Sequence, residues 1–377
     1  MSEPPLPHGL VRPSLSAVEP YEPGRPISAV RLESGIQEVV KLASNEGPFP
    51  PFPAAQQAIS ESISQLRMYP DPGAWILRDA ISQHARVPVD LVQPGNGVDS
   101  LIKLLCMTVL DPGDEMVMGW PSFPSWRQGA LIMGASPVLV PLTADGAYDL
   151  DGLLAAITPR TKMVVVVSPN NPTGAAVDAA ALTAFLDRVP GHVLPVLDEA
   201  YYEYMGGTGH NGAKEMRNGR PMVVTRTFSK IFGLAGLRVG YMFAPTALIS
   251  EIGKVRNVFD VNTLAKTAAT ASLAHASQYL PDRVALNAGE RTRVSARLTA
   301  LGTPPLPSDG NFVYVDMGDG VRAGAIVDAL LARGIIIRPT RAFGAPTGVR
   351  VTIGLPAEND RFLSEYAVAL AELPAPS

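Results

Sequence analysis

An α/β fold, with a large, mostly parallel sheet and a smaller α+β unit, is what this sequence predicts, and three observations carry the prediction. The runs at 163–167, 193–197 and 222–227 are short, apolar and rich in β-branched residues. Lacking polar alternation, they suit strands buried on both faces, as in a parallel sheet covered by helices. Each run empties into a polar segment: Ser168-Pro169-Asn170-Asn171-Pro172-Thr173-Gly174, Asp198-Glu199-Ala200-Tyr201-Tyr202 and Phe228-Ser229-Lys230. Toward the carboxyl terminus the patterns follow the order β-α-β-β-α, which suits a small layered unit folded over one edge of the first. A chain of 377 residues also exceeds what one core usually serves, so two domains are expected. Residues 1–50 read as an amino-terminal arm and part of the small domain, 51–275 as the large domain and 276–377 as the carboxyl-terminal small domain.

Taken in order, residues 1–29 are proline-rich and read as an extended arm. A short strand at 39–43 leads into Ser44-Asn45-Glu46-Gly47-Pro48-Phe49, and a helical stretch at 54–66 precedes Tyr69-Pro70-Asp71-Pro72. Gln93-Pro94-Gly95-Asn96-Gly97-Val98-Asp99-Ser100 then opens a helix reaching residue 110. Glycines before a helix start expose backbone N–H groups at the positive end of the dipole, a cradle for phosphate, although such turns also begin many ordinary helices. A strand at 115–118 delivers Trp120-Pro121-Ser122-Phe123-Pro124-Ser125-Trp126; Phe123 is the candidate for stacking on a flat ring, and Trp126 reads more readily as core. A strand at 135–142 and an amphipathic helix at 149–157 follow. Residues 205–220 are Gly-rich and polar and read as a surface loop of no evident chemistry. A helix at 248–255, an Ala-rich helical bridge at 263–299, strands at 311–315, 335–338 and 349–353, a helix at 322–332 and a last helix from 358 complete the chain.

Open α/β sheets bind ligands at the carboxyl ends of their strands. The three polar exits put Asn171, Asp198, Tyr201 and Lys230 there, with Thr227, Ser229 and Arg238 close by in Thr227-Phe228-Ser229-Lys230-Ile231-Phe232-Gly233-Leu234-Ala235-Gly236-Leu237-Arg238-Val239-Gly240-Tyr241. Taken alone, Lys230 reads as a solvated surface lysine. Together the residues make one site: a lysine for an aldehyde, a carboxylate for a pyridine nitrogen, and a phenol with an amide for a ring oxygen. That chemistry fits pyridoxal phosphate.

At these motifs the chain resembles the fold-type I pyridoxal phosphate aminotransferases, and within them the histidinol-phosphate aminotransferase family. The resemblance runs from about residue 21 to residue 354. It implies an aspartate-aminotransferase-like fold whose large domain binds the cofactor, and transfer of an amino group between an amino acid or histidinol phosphate and a 2-oxo acid such as 2-oxoglutarate, through a Schiff base on Lys230. It assigns the phosphate to the amides of Gly97, Val98 and Asp99, ring stacking to Phe123, and the ring nitrogen to Asp198. Asn171, Tyr201, Thr227, Ser229 and Arg238 complete the cofactor contacts. Tyr69 would reach the phosphate of a partner subunit, making the enzyme a homodimer; otherwise it is a turn tyrosine beside proline. Substrate contacts fall to Tyr21, Asn45, Arg338 and Arg350. Arg350, in Gly348-Val349-Arg350-Val351-Thr352-Ile353-Gly354, would bind the carboxylate by a bidentate fork; its place in an alternating strand also permits a solvent-facing side chain. Gly47 stands where the family usually has Asn, as does Asp260. The alternatives on the same template are an aromatic amino acid aminotransferase and a threonine-phosphate type decarboxylase; a cofactor-binding regulator is a third.

A formal charge of −4 and the absence of a basic run exclude an electrostatic footprint for nucleic acid or anionic membranes. No apolar run approaches a membrane span, and the amino terminus has no signal-type core, so the chain is expected to be cytoplasmic. Cys106 is the sole cysteine and reads as a core residue, while the 5 histidines lack ligand spacing, so no metal is expected.

Overall fold

The computed structural model describes residues 9–20 and 23–373. Its strands are β1 (Val40–Lys41), β2 (Val92–Gly95), β3 (Glu115–Trp120), β4 (Ser136–Pro141), β5 (Thr161–Val167), β6 (Leu194–Asp198), β7 (Val223–Thr227), β8 (Gly240–Phe243), β9 (Phe312–Asp316), β10 (Ile335–Ile336), β11 (Arg338–Pro339) and β12 (Gly348–Thr352). The large sheet has the order β2-β8-β7-β6-β5-β3-β4. β7, β6, β5, β3 and β4 pair in parallel, and β8 alone is reversed, antiparallel to both β2 and β7. β7 is buried throughout and β5 at all but Lys162, which is why neither run alternates. Register then gathers the site. Val167 pairs with Asp198 and Asp198 with Thr225, so the ends of β5, β6 and β7 lie side by side on one edge.

β2 overlaps the segment 93–100 that reads as the turn opening a helix, and it contains Pro94. Here β2 is the edge strand and pairs with β8 only, a position that tolerates proline. The loop expected at 205–220 is a correction. It contains a helix, Gly212–Arg217, started by Asn211, whose side chain accepts from the Lys214 amide, and it buries Ala213, Met216 and His210. The expected strand at 335–338 divides: β10 pairs parallel to β1, and after Ile337 the chain changes sheets, β11 pairing antiparallel to β12. Three consecutive isoleucines offer no alternation that would reveal the change of partner. The Ala-rich region is two helices, Thr263–Ala274 and Ala276–Ala300, broken where His275 leaves the helical basin.

Among the described residues, two of the three hydrophobic clusters hold most of these elements, the third being the small contact of Val30, Ala43 and Ile336. The larger of the two packs the seven-stranded sheet against its helices, while the smaller gathers Leu42, Val313, Val315, Val349, Val351 and Phe362 around the β11-β12-β9 sheet. The helix Ala276–Ala300 serves both, through Ala276 at one end and Val294 and Leu298 at the other. Cys106 is buried in the larger core, and burial pushes its thiol up to about 12, as suits an inert packing residue. Among the described residues no helix is long and apolar enough to cross a membrane, and no group of His, Cys, Asp and Glu could hold a metal.

Candidate active site

A cavity of about 340 Å³ opens at the carboxyl edge of β5, β6 and β7. Twelve of the residues singled out in the sequence line it: Asn45, Val98, Asp99, Phe123, Asn171, Asp198, Tyr201, Thr227, Ser229, Lys230, Arg238 and Arg350. Three do not: Gly97 lies just behind the wall, Tyr69 is elsewhere on the surface, and Arg338 lines a neighbouring cavity with Arg25, Asp328 and Arg341. Tyr21 lies outside the described residues.

Lys230 reaches the cavity because β7 ends at Thr227 and the chain turns, the Ser229 amide donating to Thr227 Oγ1 at 3.0 Å. Its Nζ donates to the Ser44 carbonyl at 3.2 Å and lies 5.8 Å from the centre of the Tyr201 ring. Burial, and then the charge of Arg350, bring the Lys230 ammonium down to about 8. Gly47 fits against this lysine. A Cβ there would stand 2.6 Å from the Lys230 carbonyl oxygen, so a larger residue would displace the backbone that carries the amine.

Asp198 ends β6 and is 1% exposed. Oδ2 accepts from Trp126 Nε1 at 2.9 Å and Oδ1 from the Ala200 amide at 3.2 Å. Burial nevertheless pushes the carboxyl up to about 6, a carboxylate that needs a cationic partner. Trp126 is core, as read, but its indole also holds the central acid of the site. Nothing in the sequence signals that contact, because the two residues meet only through the packing of the helix Pro124–Met133 under the sheet.

The helix Val98–Val109 begins at the cavity wall with Gly97 as its cap, and no side chain satisfies its first amides. Those donors and the dipole favour an anion. Gly97 has φ +75°, and a Cβ there would meet Arg238 Nη2 at 2.7 Å. The guanidinium therefore lies against bare backbone, 3.3 Å from Asp99 Oδ2, while Asp99 Oδ1 accepts from Ser125 Oγ at 2.7 Å.

From the small sheet, Arg350 is 3% exposed and donates through Nη1 to Asn171 Oδ1 and through Nη2 to the Ala43 carbonyl at 2.7 Å. It is not solvent-facing. Arg338 is its partner across β11 and β12, and both guanidiniums lie near the Phe343 ring, at 5.4 and 5.1 Å from its centre. Phe343 lines the cavity, as do Ser44 and Glu46, and none of the three carries a sequence signal. Asn45 is committed on both sides: Nδ2 donates to Tyr201 Oη at 2.9 Å and Oδ1 accepts from Thr352 Oγ1 at 3.1 Å. Asp260 lies outside this cavity, 3.3 Å from Arg256 Nη1.

Residues 37–365 match the model of the family described as aminotransferase class I and II. The chain belongs to that family. A histidinol-phosphate aminotransferase of Moorella thermoacetica is 40% identical over 362 residues, covering 96% of this chain and 93% of its own length. Among solved structures of the same architecture, the histidinol-phosphate aminotransferase of Sinorhizobium meliloti, crystallised with pyridoxal 5'-phosphate, superposes with a TM-score of 0.89 at 29% identity. It covers 98% of this chain and 99% of its own. A mutant aspartate aminotransferase of Thermus thermophilus gives 0.82 at 25% identity over 95% of this chain and 99% of its own. This aminotransferase thus has the fold-type I architecture along almost its whole length.

Proposed function

We propose that this aminotransferase uses pyridoxal phosphate to move an amino group from histidinol phosphate or an amino acid to a 2-oxo acid such as 2-oxoglutarate. The observation that carries the reading is the cavity itself, in which a lysine, a buried carboxylate and a buried arginine converge from both cores. The donor set fits the cofactor: Asp198 for a pyridinium nitrogen, the first amides of the helix Val98–Val109 with Ser229 and Arg238 for a phosphate, and Asn171 and Tyr201 for a ring oxygen. Phe123 supplies the stacking face. When bound, pyridoxal phosphate supplies an aldehyde that captures amines and a protonated ring that accepts electrons released at the substrate α-carbon.

The chain's own residues do the rest. Lys230 Nζ would hold the cofactor's aldehyde and, as a free amine, would take the substrate's α-proton; an amine brought down to about 8 is partly neutral near pH 7 and suited to that work. Arg350 binds the substrate carboxylate with its planar fork and Asn45 shapes the floor by holding Tyr201; Arg338, across the strand pair from Arg350 and at the neighbouring cavity, serves a second anionic group, with Tyr21 as a further substrate contact. Asp198 keeps its charge paired with the ring nitrogen.

Tyr69 is 82% exposed and stacks on Phe259 with ring centres 4.6 Å apart, beside exposed Met68, Trp75 and Ile76. So large a bare apolar face supports a homodimer in which Tyr69 donates to the partner's cofactor phosphate. The working division into a large domain at 51–275 and a small domain at 276–377, the latter joined by part of 1–50, and a cytoplasmic location complete the proposal.

The test is the visible absorbance of the cofactor-loaded protein as histidinol phosphate, glutamate, phenylalanine and tyrosine are added in turn. Conversion to the amine form of the cofactor by histidinol phosphate and glutamate alone supports the reading; conversion by the aromatic amino acids redirects it to that substrate class. Release of carbon dioxide without the amine form would overturn aminotransfer.

A further inference from the structure

His210 lies in a loop whose Gly206, Gly207 and Thr208 are exposed, yet its own ring is only 2% exposed. It bridges two other buried side chains. Nδ1 lies 3.0 Å from Glu199 Oε1, and Nε2 lies 2.7 Å from Ser168 Oγ. Glu199 also accepts from the Gly212 amide at 2.8 Å and from Arg226 Nε at 2.8 Å, while Ser168 Oγ accepts from the Val177 amide at 2.9 Å. The imidazole thus hydrogen-bonds through both ring nitrogens, one to a carboxylate and one to a hydroxyl.

The order hydroxyl, imidazole, carboxylate is that of a hydrolytic triad, but Ser168 is 0% exposed and does not line the site cavity, so no substrate carbonyl reaches it. Its neighbours indicate what it does instead. Glu199 directly follows Asp198, and its amide donates to the Thr225 carbonyl at 2.9 Å; Ser168 opens the segment carrying Asn171, and its amide donates to the Asp198 carbonyl at 3.0 Å. Ser168 and Glu199 are thus tied by backbone on the side of the sheet and by His210 on the other. Parallel strands end at their last ladder bond; Arg350 and Trp126 anchor the two exits to other elements, and His210 is what joins them side chain to side chain.

We propose that His210 is a positioning residue, which through Ser168 and Glu199 holds the exits bearing Asn171 and Asp198 at a fixed separation, without touching substrate or cofactor. Its catalytic part rests on the cofactor reading above. A buried chain of hydrogen bonds is suited to this, because breaking one link strands its partners without water.

The test compares His210→Asn, which keeps a donor toward Glu199 but loses the partner for Ser168, with Ser168→Ala, with the double variant, and with His210→Gln, whose longer amide reaches toward Ser168. Hydrogen exchange is followed on the cofactor-free proteins across 168–177 and, as a control, the helix Ala276–Ala300. Each single variant should exchange about tenfold faster at 168–177. The double variant should add little, because both changes cut the same chain, and His210→Gln should recover part of the protection. Loaded enzymes should lose about tenfold in kcat with KM for the amino donor within about twofold, as expected for a loss of alignment. Unchanged exchange at 168–177 and unchanged kcat, with only a lower melting temperature, would overturn the brace and leave a packing role. Wild-type protein that takes up no pyridoxal phosphate would instead overturn the cofactor reading and the catalytic part of this proposal, whereas the exchange result tests the brace independently. Should His210→Asn not fold, His210→Gln replaces it, because Ser168→Ala also removes the acceptor of the Val177 amide; exchange at 168–177 no faster than in wild type would then overturn the brace.

Discussion

The cavity wall and the face around Tyr69 are both rich in aromatic and polar groups, and they are finished to different degrees. Around the cavity almost every group has a partner within the chain: Asp198 has Trp126, Asn45 has Tyr201 and Thr352, and Arg350 has Asn171 and Ala43. Around Tyr69, large side chains stack on one another but remain open to solvent, with Trp75 at 66% and Ile76 at 75% exposure. The first surface is lined for a small charged molecule; the second lies open to solvent, where the proposed subunit contact would cover it. The one tension inside the finished surface is electrostatic. A buried acid and the cavity's amine are both displaced toward neutrality, so the wall pairs most of its side chains but leaves open the first amides of the helix Val98–Val109 and the charge on Asp198.

The sharpest way to break the comparison is at the cavity. Lys230→Ala should lower kcat by at least about 10⁴-fold, since capture and proton transfer both fail, while sedimentation of the protein is unchanged; substantial residual turnover would remove Lys230 from its role. Next comes the charge on Asp198. Because folding raises its pKa to about 6, the folded protein binds a proton more tightly than the unfolded chain, so this group's contribution to stability is present at low pH and is lost as pH rises through about 4 to 6. Asp198→Asn should abolish that loss, worth about 3 kcal/mol at most. Urea unfolding of cofactor-free protein at pH 4.5 and pH 7 measures it, and an equal pH response in both proteins would contradict the buried acid.

Trp126→Phe keeps the ring and removes the donor to Asp198 Oδ2. The expected cost is about tenfold in cofactor affinity, read by equilibrium dialysis with absorbance; no change would mean that the indole only fills space. At the other surface, Tyr69→Phe preserves the stack on Phe259 and deletes the hydroxyl. A fall of several-fold in cofactor affinity, about 1 kcal/mol, with an unaltered dimer mass in sedimentation would join the two surfaces across a subunit boundary. A monomer at micromolar concentration would separate them.

The sequence by itself determined the parallel sheet, the exits at Asn171, Asp198 and Lys230, the glycine-led helix at Val98 and the arginine in β12. These are local signals: β-branched runs that demand burial on both faces, polar segments that end them, and glycines where a backbone must stay bare. Tertiary structure alone decided that Trp126 bonds Asp198, that Phe343 lies between two arginines, that Asn45 is spent on Tyr201 and Thr352, and that a loop histidine joins Ser168 to Glu199. In each of these the partners lie far apart in sequence or on separate elements, and burial gives them their chemistry. A tryptophan, a histidine or a glycine-rich loop reads alike whether it faces water or the interior; only packing removes the water, and with the water gone each polar atom must find the partner that defines its role.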